Sequence, residues 1–91
     1  MVHLKEIVVL ENKDGLHARP AALLVQEASK YKSDIYLNKD GNKANAKSII
    51  EVMSLGAEQG SKIEIEVNGD DAEEAMNHLI DLIKNKKLGG E

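Results

Sequence analysis

Ile63-Glu64-Ile65-Glu66-Val67 alternates apolar and acidic residues without a break. A period of two marks a strand buried on one face, here with Glu64 and Glu66 pointing outward. Downstream, Asn68-Gly69-Asp70-Asp71 turns the chain into a helix with acids in its first turn. Ala72, Ala75, Met76, Leu79 and Ile83 form that helix's apolar stripe, and Lys84, Lys86 and Lys87 gather at its C-terminal end. Upstream, Ser48-Ile49-Ile50-Glu51 has the spacing of a capping box and opens a brief helix that ends near Leu55-Gly56. Asp34 to Asn38 and Lys43 to Ala46 read as strands joined by the hairpin turn Lys39-Asp40-Gly41-Asn42. From Pro20 to about Lys30 the period is helical, with Ala21, Leu24, Val25 and Ala28 on one face. Leu4 to Leu10 is a first strand by its β-branched Ile7, Val8 and Val9, but its pattern does not fix which face points inward. The order β-α-β-β-α-β-α predicts an α+β fold with helices on one face of a mainly antiparallel sheet.

Composition narrows the function. Ninety-one residues make one domain over 1–91. Area scaling gives about 5,200 Å² folded against about 14,500 Å² unfolded, enough for one small core. With 12 basic and 16 acidic side chains, a net charge of -4 and only two aromatics, Tyr31 and Tyr36, nucleic acid is an unsuitable partner. Cysteine is absent, which excludes disulfides, thiolate metal sites and thiol nucleophiles together. No apolar run reaches the roughly 20 residues that span a bilayer. Met1-Val2-His3-Leu4-Lys5-Glu6 breaks up with charge, so no signal peptide is expected and the cytoplasm is the default location. No cofactor is called for. A metal is not expected either, because no second ligand stands at recognised spacing from His3, His17 or His78.

The chemistry concentrates in Gly15-Leu16-His17-Ala18-Arg19-Pro20, which joins the first strand to the first helix. Pro20 suits the first turn of a helix; the restriction on residues before proline points to Arg19 as the cap, and a boundary nearer His17 is equally admissible. Either way His17 lies at the positive end of the helix. That position disfavours a second positive charge, so a neutral imidazole with a nucleophilic nitrogen is expected. It also favours an attached phosphoryl group, through the dipole and the free amides of Ala18 and Arg19. The Arg19 guanidinium can reach two phosphoryl oxygens. On spacing alone, a histidine near a helix start is more often a surface residue or a satisfied cap, and His3, in a frayed terminus, and His78 receive that reading.

At these residues the chain resembles HPr, the histidine-containing phosphocarrier of the bacterial sugar phosphotransferase system. The likeness continues through Leu23-Leu24-Val25-Gln26, Ala28-Ser29-Lys30-Tyr31, Lys47-Ser48-Ile49-Ile50 and Val52-Met53-Ser54-Leu55-Gly56. It covers essentially the whole chain without an insertion. The resemblance implies an open-faced β-sandwich, four antiparallel strands in order 1-4-2-3 with three helices on one face. It makes His17 the histidine that accepts a phosphoryl group on Nδ1 from phospho-enzyme I and passes it to a histidine of an enzyme IIA domain. Arg19 becomes the arginine that assists both transfers. Such a protein is a phosphorylated intermediate, not a turnover enzyme, and a monomer is expected.

Ser48 matches the serine modified by an HPr kinase/phosphorylase in regulated members, whose phosphorylated form binds a catabolite-control repressor. It is also a good cap with Glu51, and both readings can hold. Glu51 departs from the small residue the family pattern leads one to expect, and would oppose a phosphoserine. The brief helix holds Ile49, Ile50, Val52, Met53 and Leu55, too many apolar residues for one buried stripe. Ile49 and Met53 share a face. The resemblance makes them an exposed surface for enzyme I and enzyme IIA; the alternative is core. Carriers of a nitrogen-related or dihydroxyacetone kinase branch share the fold. A regulatory paralogue acting only through serine phosphate would lack the histidine. A small-molecule-binding regulatory domain would need a buried pocket and would leave His17 and Arg19 without a role.

Overall fold

The alternating segment is an inner strand of the sheet, paired on both edges. In the computed structural model residues 2–90 are described; residues 1 and 91, which the expected domain includes, lie outside them. The elements run β1 (Val2–Val9), α1 (Ala18–Ala28), β2 (Asp34–Lys39), β3 (Asn42–Asn45), α2 (Ile49–Ser54), β4 (Lys62–Gly69) and α3 (Ala72–Lys84), followed by a short 3₁₀ turn over Lys87–Gly89. The four strands form one antiparallel sheet in the order β1-β4-β2-β3. This is the α+β, open-faced arrangement with three helices that the pattern and the resemblance imply.

Alternation decides which sheet face is covered. Ile63, Ile65 and Val67 of β4 are buried, while Glu64 and Glu66 remain partly exposed on the other face. Each buried side chain of this size contributes about 1.5–3 kcal/mol. Ile35 and Leu37 of β2 meet them from the neighbouring strand, and Ala75, Leu79 and Ile83 of α3 belong to the same cluster. Pro20, Ala21, Leu24 and Ala28 are the buried stripe of α1. The described residues expose 5201 Å², the area expected for a folded chain of this length.

Several boundaries differ from those expected. β1 begins at Val2, so His3 is a strand residue paired with Asn68, not part of a frayed end. Its side chain lies on the surface with Nε2 3.0 Å from Glu66 Oε2. In β1, Val8 is buried while Ile7 and Val9 stand exposed on the open face. The hairpin turn places Asp40 and Gly41 at φ of 51° and 83°, the paired positive angles a two-residue turn requires. Glu51 does not complete a reciprocal capping box. Its Oε1 instead accepts from the Asn45 amide at 2.9 Å, while the Ser48 amide donates to Asn45 O.

Candidate functional site

The His17 loop is built by hydrogen bonds to its neighbours. Asn12 Nδ2 donates to Gly15 O at 2.8 Å, the Gly15 amide to Asn12 O at 3.2 Å and the His17 amide to Asp14 O at 3.1 Å. The Leu16 amide reaches across to Ala57 O at 3.0 Å, which docks this loop on the segment after α2. Gly15 is required at that crossing. It has φ of 55°, and a Cβ there would run into Ala57 O and stand 2.8 Å from Glu58 Cα. The same segment is held by bonds from Gly60 N to Leu10 O and from Leu10 N to Ser61 O.

His17 is the N-cap of α1, with extended backbone angles of -69° and -178°. The helix therefore starts at Ala18, and Arg19 is a helical residue, not the cap. Proline tolerates this because Pro20 stands third in the helix, where its missing N–H has no intrahelical partner to lose. The His17 side chain makes no capping bond and is 61 % exposed. The amides of Ala18 and Arg19 have no hydrogen-bond partner among the described residues. Arg19 is exposed beside them and lines a small hollow with Asn12, Lys13, Asp14, Pro20 and Leu88. An exposed imidazole and two open amides thus share one helix start, with the arginine side chain of Arg19 carried in its first turn, an arrangement suited to an anion.

Sequence reasoning missed one neighbour. Glu58 Oε1 lies 3.4 Å from His17 Nε2, although the residues are 41 positions apart. Nothing local in the sequence links the two; the signal lies only in the crossing of their loops.

The other expected residues cluster on α2. Ser48 caps it, its hydroxyl accepting from the Glu51 amide at 3.4 Å. Val52 and Leu55 are buried, whereas Ile49, Met53 and Ile50 are exposed, Ile50 most at 77 %. Ile50 therefore belongs to the apolar surface with the two residues singled out from the sequence. α2 packs on α1, so this surface and the His17 loop lie on adjoining elements.

The remaining histidine is held in place. His78 Nδ1 is 2.5 Å from the Tyr31 hydroxyl, and its Nε2 is 3.0 Å from Glu27 Oε1. A hydrogen bond and charge from Lys30 hold the Glu27 carboxyl below its ordinary range despite partial burial, with His78 and Lys86 adding to the effect. Burial first, then the charges of Glu74 and Glu27, push the Tyr31 phenol up. Among the described residues no group of three or more His, Asp or Glu side chains could hold a metal ion, and no helix is long and apolar enough to cross a membrane.

Comparisons with known proteins agree with this geometry. Residues 4–85 match the family described as the PTS HPr component phosphorylation site. The HPr-like protein Crh of Halalkalibacterium halodurans is 49 % identical over 79 residues, covering 87 % of this chain and 94 % of that protein. HPr-C-His from Thermoanaerobacter tengcongensis superposes with a TM-score of 0.92 at 51 % identity, over 97 % of this chain and 98 % of that one. Crh from Bacillus subtilis, solved as a dimer with a swapped domain, gives 0.74 at 44 % identity over 94 % and 97 % of the two chains. With its strand order, its exposed histidine at a helix start and a match over nearly its whole length, this chain belongs to the HPr family of phosphocarrier proteins.

Proposed function

We propose that the chain is a single-domain carrier that takes a phosphoryl group from phospho-enzyme I on His17 and gives it to enzyme IIA domains during sugar uptake. One observation carries this reading: a solvent-facing imidazole at the start of an 11-residue helix whose first two amides are open. Phosphoryl transfer asks mainly for in-line access and charge stabilisation. A shallow anion site supplies both and still releases the group, as a carrier must. Ala18 and Arg19 offer amides to the phosphoryl oxygens, and the Arg19 guanidinium assists both transfers. Ile49 and Met53, with Ile50 beside them, form the apolar surface for serial and transient partners. The protein works in the cytoplasm. Incubation with phosphoenolpyruvate and enzyme I should label the wild type with an acid-labile, base-stable phosphate and leave His17→Ala unlabelled. A wild type that takes no label overturns the reading.

The relatives named Crh, one of them described in connection with catabolite repression, favour a second role at Ser48. An HPr kinase/phosphorylase modifies that hydroxyl, and the product binds a catabolite-control repressor. His17 supports carriage in addition to this regulation, since a serine-only regulator has no use for it. Kinase treatment should label the wild type and not Ser48→Ala; an unlabelled wild type refutes this role. The carrier acts as a monomer, a reading favoured by a histidine and open helix start that one chain supplies by itself. A dimer mass in sedimentation at micromolar concentration would instead point to domain swapping of the kind described for Crh.

A further inference from the structure

The resemblance assigns attack to Nδ1 of His17, and the open amides at the helix start do not by themselves explain why that nitrogen, and not Nε2, carries the lone pair. A neutral imidazole donates from one nitrogen and accepts at the other, and the partner of the first fixes the role of the second. Glu58 presents a side-chain carboxylate oxygen to Nε2, and a carboxylate oxygen accepts hydrogen bonds. We propose that Glu58 is a positioning residue: it holds the proton on Nε2 and so presents the Nδ1 lone pair to the incoming phosphoryl group. This rests on the carrier reading for its purpose, and on the crossing of the two loops for its geometry.

The crossing is rigid enough to serve. Ala57 O accepts from Leu16 N, and Gly15 admits the Ala57–Glu58 backbone at a distance no side chain would allow. The Glu58 amide donates to Ser61 Oγ at 3.0 Å, which fixes the residue from its other side. Both bonds anchor backbone, so the carboxylate swings only about its own side-chain torsions. In the transfer the Nδ1 lone pair forms the new bond to phosphorus as the donor's bond to phosphorus breaks, its electron pair returning to the donor. No proton has to move. The ring then carries a hydrogen on Nε2 and phosphorus on Nδ1, and with it a formal positive charge. The Glu58 carboxylate faces that charge from the side opposite the phosphoryl group and offsets it.

The ¹⁵N spectrum of the His17 ring in the full-length protein, taken where the imidazole is neutral, reads this directly. The wild type should be enriched in the Nε2–H tautomer. Glu58→Ala should lower the ratio of Nε2–H to Nδ1–H forms about two- to fivefold, the scale of an exposed charged contact. Glu58→Gln, which keeps an accepting oxygen, should restore it. Initial labelling by phospho-enzyme I should follow the same order. A ratio unchanged in Glu58→Ala overturns the proposal, even where labelling of the wild type proceeds. Failure of the wild type to take label overturns the carrier reading instead, and leaves the tautomer ratio to decide the role of Glu58 alone.

Discussion

The starts of α1 and α2 differ in what their free amides meet. At α2, Ser48 Oγ accepts from the Glu51 amide, and the Glu51 carboxylate is turned back onto the Asn45 amide. That end carries a side-chain cap on its third amide, while the amides of Ile49 and Ile50 have no partner among the described residues. At α1 the N-cap His17 turns its ring to solvent, and the amides of Ala18 and Arg19 stay unpaired among the described residues. The difference lies at the third position: Glu51 offers an amide that Ser48 caps, whereas Pro20 has none, so at α1 no side-chain cap stands before the open amides. An anion arriving at α1 fills unmet hydrogen-bonding capacity. A phosphate placed on Ser48 must displace an existing cap and face the Glu51 carboxylate. The first end can receive an anion as it stands, whereas the second can do so only by giving up its cap.

The sharpest way to break this contrast is to push the α1 entrance out of place. Gly15→Val adds a branched side chain where φ is positive and the Ala57–Glu58 backbone leaves no room. It should destabilise the protein by about 3 kcal/mol in urea unfolding, the range for strained backbone with a clash. It should also abolish labelling of His17. Stability within about 0.5 kcal/mol of wild type would mean the loops do not meet as described.

Arg19→Ala tests the open end without moving it. Arg19 is exposed and makes no side-chain hydrogen bond or ion pair among the described residues, so unfolding should change by less than about 0.5 kcal/mol. Labelling by phospho-enzyme I should fall about tenfold, the equivalent of one hydrogen bond to a charged group. Equal losses of stability and labelling would make Arg19 a structural residue and remove it from the anion site.

How far these two ends could be read in advance depended on how local their determinants are. β4 was legible because one covered and one open face impose strict alternation, and Ile63, Ile65 and Val67 obey it. β1 was not, because it is an edge strand with apolar Ile7 and Val9 on the open face and Val8 on the covered one. The start of α1 was placed only to within two residues, since the restriction on residues before proline gives way when proline stands in the first turn. The 3₁₀ turn that buries Leu88 escaped notice because it follows a lysine-rich stretch and needs positive φ at Lys87 and Leu88, a conformation no pattern announces. His17 and Arg19 were visible through a contiguous motif. Glu58 was not, because its approach to His17 is created by the loop crossing and by nothing in its own neighbourhood.

Removing the cap at α2 should have a smaller effect than either change at α1. Ser48→Ala frees the Glu51 amide at a surface helix of six residues. Because the bond it loses is long at 3.4 Å, a cost of about 0.5–1 kcal/mol is expected in thermal or urea unfolding. Labelling of His17 should be unchanged. A loss above about 2 kcal/mol would place Ser48 among the structural supports of the core, and would weaken the case for modifying it reversibly.

The start of α3 supplies the mildest test, since it already holds an anion. The Asp71 carboxylate accepts from the Ser33 hydroxyl and from the amides of Lys32 and Ser33. The Ser33 hydroxyl first, then the backbone donors, hold its carboxyl below the ordinary aspartate value. A folded-state value below the unfolded one means that the ionised form favours folding. That contribution is complete above about pH 4, the unfolded aspartate value, and is lost as pH falls through the folded value. Asp71→Asn should therefore unfold at lower urea than wild type at pH 7, with the gap narrowing as pH drops below about 4. A gap that stays constant into acid would show that the shape of the side chain matters at this helix start and its charge does not. The same conclusion would then weigh on α1, where the proposed carrier role relies on electrostatic attraction of a phosphoryl group to open amides.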